Sequence, residues 1–289
     1  MSEVNFKNLL STGAHFGHVT RKWHPSYAPY ILMERNGVHI INLEETLSGL
    51  EKAQDFLSKI VKKNGEILFV GTKKQAKDIV QQEADRCGMF YVVERWLGGT
   101  LTNYSTIKKS IKRLQLLEKE GSSIYQDLTK KEIQMLNRER VKLADQHRGI
   151  KDMRRVPDVL VVVDANFEST AVQEAIRLEI PVIAIVDSNT DPSIVSHVIP
   201  ANDDSIRTIQ LILAALTDTI LSAQVKDVDK QNEKNKDNNE AHKKNVHLDS
   251  DNSDKSDEKI LLVDKESDND VKDSPDEMDK NNGKVENDK

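Results

Sequence analysis

Two segments constrain this chain more than any other feature: Asp158-Val159-Leu160-Val161-Val162-Val163-Asp164 and Pro181-Val182-Ile183-Ala184-Ile185-Val186-Asp187. Each is an unbroken apolar run, mostly β-branched, that stops at an aspartate. A strand with no polar face must be covered on both sides, which is the situation of strands in parallel sheets. Between the two runs, Ala171, Val172, Ala175, Ile176 and Leu178 recur at helical spacing. Strand, helix and buried strand in succession form a crossover unit, and crossover units build open parallel sheets.

The same rhythm runs through most of the chain up to residue 224. His39 to Leu43 reads as a strand. A helix entered at Asn42 or Glu44 follows, carried to about Lys63 by Leu47, Leu50, Ala53, Leu57 and Ile60. Glu66 to Gly71 is a buried-type strand. Thr72 and Gln75 have the spacing of a capping box that would start the next helix, which Gly88 stops. Phe90 to Val93 is a third strand. After the second buried run, Asp203-Asp204-Ser205 starts a last helix through Leu213, Leu216 and Ile220. The predicted fold class is α/β, an open parallel sheet with helices on both faces.

One segment departs from this rhythm. Tyr104 to His147 carries two helical patterns around Gly121-Ser122-Ser123 and no strand pattern. Ile107, Ile111, Leu114 and Leu117 form the first stripe. Ile133, Leu136, Leu143 and Ala144 form the second, behind a capping box at Thr129 and Glu132. Narrow stripes with densely charged opposite faces predict an antiparallel coiled-coil hairpin inserted in the domain. The expected organisation is therefore a discontinuous α/β domain over 1–103 and 148–224, a hairpin over 104–147, and a tail over 225–289.

That tail holds no Phe, Tyr or Trp, one Gly and one Pro, with 13 Lys against 20 Asp and Glu, a net of −7. Such a composition cannot offset the entropy of ordering a backbone, and disorder is expected. It also hides the charge of the rest. The whole chain of 289 residues has a net charge of −6, which by itself argues against a nucleic-acid binder. Residues 95–155, however, carry 15 Lys and Arg against 7 Asp and Glu, whereas residues 156–224 carry 2 against 10. Positive charge gathers on the hairpin and its two roots, as an electrostatic footprint for phosphate would. A solvated coiled-coil surface accounts for part of it, Lys130, Lys131 and Arg138 above all. The single cysteine, Cys87, excludes an intrachain disulfide and fits a reducing compartment. With no apolar run near 18 residues and no signal or transit peptide apparent, a soluble cytoplasmic protein is expected.

Candidate chemistry is sparse. Gly71-Thr72-Lys73-Lys74 follows a strand and opens a helix, a place where backbone amides attract phosphate. It lacks the glycines of a P-loop or dinucleotide fingerprint. It reads as an ordinary β–α turn, with RNA phosphate as an alternative guest for Lys73 and Lys74. His15, His18 and His24, with Asp187, Asp203 and Asp204, suggest a metal, but not in a zincin arrangement, and no metal or cofactor is assigned. Cys87 before Gly88 reads as packing rather than a nucleophile, and no catalytic set is found. Arg95-Trp96-Leu97-Gly98-Gly99 is either a loop that clasps nucleic acid or a hydrophobic lid over the sheet edge. Arg21-Lys22-Trp23 on a turn offers a phosphate contact or a plain surface loop. A nucleotide- or sugar-phosphate enzyme using Gly71 to Lys74 and a protein-only coiled-coil adaptor are the rival readings.

Phe6 to His18, Asn36 to Glu44, Phe69 to Lys73, Arg95 to Asn103, Gly149 to Met153, Pro157 to Asp164 and Ile199 to Arg207 follow in order over residues 5–223. Together these motifs resemble the family of the bacterial small-subunit ribosomal protein S2. The resemblance implies a flavodoxin-like sheet with a coiled-coil insertion, docked on small-subunit ribosomal RNA between head and body. It implies neighbouring ribosomal proteins, recruitment of the messenger-binding protein S1, no catalysis, no small-molecule substrate and no membrane. The inserted hairpin points to the bacterial or organellar branch. The residues expected to meet RNA are Arg21, Lys22, Lys73, Lys74, Arg95, Trp96, Lys108, Lys109, Lys112, Arg113, Lys151, Arg154, Arg155 and Arg207.

Overall fold

Ile67–Val70 (β4), Phe90–Val92 (β5), Val159–Val163 (β6), Val182–Val186 (β7) and His197–Pro200 (β8) pair in parallel in the order β5-β4-β6-β7-β8. They belong to a computed structural model that describes residues 4–119 and 128–225. Numbered within this sheet, the order is 2-1-3-4-5, the flavodoxin-like arrangement. The two continuous runs are thus central strands, and every residue of β4, β6 and β7 is buried. Alternation sorts their side chains. Ile67, Phe69, Val159, Val161, Val163, Ile183 and Ile185 face one apolar cluster, and Leu68, Val70, Leu160, Val162, Val182, Ala184 and Val186 face the other.

Helices cover both clusters. After the short first helix α1 (Phe6–Thr12), Leu43–Val61 (α2), Lys77–Cys87 (α3) and Ile206–Val225 (α7) lie on the first face, and Tyr104–Glu118 (α4) and Ser169–Arg177 (α6) on the second. The Asn42 side chain caps α2 by accepting from the Glu44 N–H at 3.1 Å. Gly88 ends α3 in the left-handed region at φ +66°, as its position predicts. The segment α7 corrects one expectation. By length and composition it is apolar enough to cross a membrane, with a mean hydropathy of 1.4 over its most apolar window. Its Ile209, Ile212, Leu213, Leu216 and Ile220 are nevertheless buried against the sheet, so the apolarity belongs to the core.

Three further differences have physical reasons. The strand expected at His39 is real (β3, Val38–Ile41) but lies outside the parallel sheet. It is the middle strand of a small antiparallel sheet with Phe16–Val19 (β1) and Ile31–Arg35 (β2), its turn made by Asn36 and Gly37, both at positive φ. Strand β8 was not legible, since His197-Val198-Ile199-Pro200 is short and mixed; its pairing with β7 makes it a strand. The Thr72–Gln75 capping box does not form. Helix α3 starts at Lys77, and the Thr72 hydroxyl is used elsewhere.

The inserted helices are α4 and Lys130–His147 (α5). Thr129 and Glu132 form the predicted capping box. Ser110 meets His147, and the later Arg113 meets the earlier Glu139, so the two helices run antiparallel. Their packing is lopsided: Ile107, Ile111, Leu114 and Leu117 are buried, while Ile133, Leu136, Leu143 and Ala144 are half-buried. The loop around Gly121 and the tail from residue 226 lie outside the described residues.

Candidate nucleic-acid interface

The loop after β5 is built around one acidic side chain that the sequence reading overlooked. Glu174 of α6, 6 % exposed, accepts from the backbone N–H groups of Gly99 (2.7 Å), Leu101 (3.0 Å) and Thr102 (3.2 Å). Its Oε1 also takes the Trp96 indole N–H at 3.1 Å. Burial pushes the Glu174 carboxyl up, but these donors outweigh it and hold its pKa below the usual value. Gly99 supplies the positive φ, +90°, that brings three amides to one carboxylate. Trp96 is consequently buried, with its N–H committed. It is a strut of the loop, buried with its indole N–H on Glu174. The only signal in the sequence was that Glu174 falls three residues after Ala171, on the apolar stripe of its helix.

What the strut presents is Arg95, exposed and without a side-chain partner among the described residues. Arg95 shares a cleft of about 620 Å³ with Arg138 and Lys142 of α5, Glu94 and Asp145 also lining it. The hairpin is seated on β5 at Gly149, where an added Cβ would stand 2.1 Å from the Tyr91 carbonyl oxygen. Along α4, Lys108, Lys109 and Lys112 point outward and have no partner among the described residues, whereas Arg113 pairs with Glu139 at 3.0 Å. Lys151 pairs with Glu118 at 2.7 Å.

The C-terminal edge of the parallel sheet gathers the remaining charges. Lys73, after β4, reaches Asp164 after β6 at 3.2 Å, and Asp203 and Asp204 after β8 at 2.8 and 2.7 Å. Asp187, after β7, takes the Nδ1 hydrogen of His18 at 2.7 Å. Burial raises the Asp203 carboxyl to about 7, with repulsion from Asp164 and Asp187 adding to it and Lys73 opposing it. Beside this cluster, the Thr72 N–H and hydroxyl both donate to Glu168 at 2.6 Å. The β4–α3 turn therefore holds an anion supplied by the protein itself. Lys73 is drawn into that cluster. Its side chain is 14 % exposed and its ammonium is surrounded by carboxylates that would repel a phosphate. Lys74, one residue on, is exposed and makes no ion pair among the described residues, and the same holds for Arg21, Lys22 and Arg207.

Arg154 and Arg155 are at the opposite edge. Arg155 donates to Asp158 at 2.9 Å and to the Asn64 carbonyl at 3.2 Å, and lies 3.6 Å from Glu66, all just before β4 and β6. Arg155 thus has an internal role, whereas Arg154 is exposed and has no ion-pair partner among the described residues. The three histidines also separate. His15 stacks on Phe16, His24 accepts from the Ser26 N–H, and only His18 reaches the aspartates.

The family model described as ribosomal protein S2 matches residues 9–223, well over half of the chain. The matched span includes α4, α5, the Glu174-built loop and the aspartate cluster.

Proposed function

The chain belongs to the ribosomal protein S2 family, structural and non-catalytic proteins of the small ribosomal subunit, and from that premise we propose how it binds. The reading is that exposed, unpaired cations hold small-subunit ribosomal RNA. Lys108, Lys109 and Lys112 on α4, Arg95 at its root, and Arg21, Lys22, Lys74 and Arg207 at the C-terminal sheet edge form the phosphate-binding set. The observation that carries it is their state: each is exposed and makes no ion pair among the described residues, although carboxylates abound elsewhere. A cation without an internal partner loses nothing when it meets a phosphate, and contacts of this type fix orientation rather than sequence.

The rival, a phosphate-handling enzyme at the sheet edge, is disfavoured by the same geometry. In a 2-1-3-4-5 sheet the ligand crevice lies outside the strands β4 and β6, where the order reverses. Here Glu168 takes the amide of the turn and the Lys73–Asp164 pair bridges the crevice. The likeness to the family extends the proposal to residence on cytoplasmic ribosomes, to contacts with neighbouring small-subunit proteins, and to recruitment of protein S1.

The test compares the wild-type chain with the triple variant Lys108→Ala, Lys109→Ala, Lys112→Ala. Binding to small-subunit ribosomal RNA is measured across salt concentrations, and co-sedimentation with small subunits is followed. The triple variant is expected to bind more weakly, with a log K against log salt slope shallower by about 2, as loss of three phosphate contacts requires. An unchanged slope with unchanged subunit occupancy would remove α4 from the interface.

A further inference from the structure

We propose that His18, Asp203 and Asp204 form a binding site for one divalent transition-metal ion of the zinc type, which ties β1 to the turn before α7. A ring nitrogen of His18 and one carboxylate oxygen from each aspartate lie within 4.8 Å of one another. The three come from distant parts of the sequence and meet only where the C-terminal sheet edge abuts β1.

The arrangement of the unused atoms argues for a ligand. Lys73 takes Oδ1 of Asp203 and Oδ1 of Asp204. That leaves Oδ2 of each. Asp204 Oδ2 lies 3.8 Å from His18 Nε2. Asp203 is fully buried, yet its Oδ2 has no hydrogen-bond partner among the described residues. Buried carboxylate oxygens are nearly always paired, because desolvation without a partner costs several kcal/mol. An acceptor so placed calls for a cation or a donor.

The imidazole is oriented for the same purpose. Asp187, 1 % exposed, accepts from Nδ1 and so fixes the tautomer with the lone pair on Nε2. A carboxylate behind the imidazole, turning Nε2 forward, is the usual support of a metal-bound histidine. Asn189 Nδ2, 3.4 Å from Nε2, is the nearest donor to that lone pair. The charge points the same way: four carboxylates, Asp164, Asp187, Asp203 and Asp204, face a single lysine. One imidazole with two carboxylates selects zinc over magnesium or calcium, which take oxygen alone. Closing the donors onto bonds of about 2.0–2.2 Å requires side-chain rotation, and Asp204, 51 % exposed, is free to supply it. Spacing alone left these residues without a metal; their convergence in the fold assigns one.

The test uses the full chain, stripped with a chelator and dialysed, then titrated with Zn²⁺ at pH 7.5 against a chromophoric competitor. Wild type is expected to bind one equivalent more than His18→Ala and one more than Asp204→Asn. Zinc held elsewhere on the chain is common to all three and cancels. Zinc is also expected to raise the thermal midpoint of wild type and not that of either variant, and Mg²⁺ at the same concentration to do neither. Asp204→Asn decides the matter if His18→Ala does not fold. Equal stoichiometry in wild type and in the folded variants overturns the site, and an equal response to Mg²⁺ overturns its assignment to a transition metal. Neither readout involves RNA, so the result stands apart from the ribosomal reading.

Discussion

Glu174 and Lys73 illustrate how much of this protein depends on single charged side chains turned inward. Glu174 gathers three amides and an indole N–H around one carboxylate, and that gathering is the shape of the loop carrying Arg95. Removing it would leave those donors buried without an acceptor. We expect Glu174→Ala to destabilise the domain by about 3 kcal/mol in urea unfolding, and Glu174→Gln, which keeps one acceptor, by less. A loss below about 1 kcal/mol for the alanine variant would mean the loop holds itself. Lys73 shows the opposite outcome for a basic residue. By composition it belongs with the phosphate-binding lysines, and only the positions of Asp164, Asp203 and Asp204 withdraw it from solvent.

At the scale of elements, the hairpin is held at its root rather than along its length. Ile107 and Ile111 at the start of α4 join the apolar cluster on the second face of the sheet, while α5 buries His147 alone. His147 is 1 % exposed, with Nε2 on Ser110 at 2.8 Å and Nδ1 unpartnered. Burial lowers its pKa from 6.5, so the folded state binds its proton less readily than the unfolded chain. The stability this gives is fully present above pH 6.5 and is lost as the pH falls below that value. Protection of the amides at the end of α5 against hydrogen exchange, taken relative to their free-peptide rates at each pH, is accordingly expected to fall from pH 7.5 to 5.5 more in wild type than in His147→Gln. An equal loss of protection in both would assign the effect to His15 or His197, whose pKa values burial also lowers.

At the scale of the whole molecule, the charge is divided by position. The acidic segment 156–224 spends Asp164, Asp187 and Asp203 inside the sheet edge, and the basic segment 95–155 leaves most of its cations outside. The net charge of −6 describes neither, because residues 226–289 contribute −7. Removing those residues is therefore expected to leave binding to small-subunit RNA unchanged or stronger at low salt, measured on the truncated and full chains side by side. A loss of binding on truncation would assign the tail a direct role.

By itself the sequence determined the parallel sheet, because Val159–Val163 and Val182–Val186 have no polar face to leave in water. It determined α2, α4 and α5 by periodicity and capping, and it located the excess of positive charge. Those properties are local in the chain: a run, a stripe, a cap, a count. The tertiary structure alone decided the rest. It separated β3 into an antiparallel sheet, made a strand of His197–Pro200, buried Trp96, and took Lys73, Arg113, Lys151 and Arg155 into ion pairs. It also brought His18 to Asp203 and Asp204 across more than half the chain. A charged side chain carries the same letter whether it faces a carboxylate or water. Which of these it faces is set by what the fold places beside it.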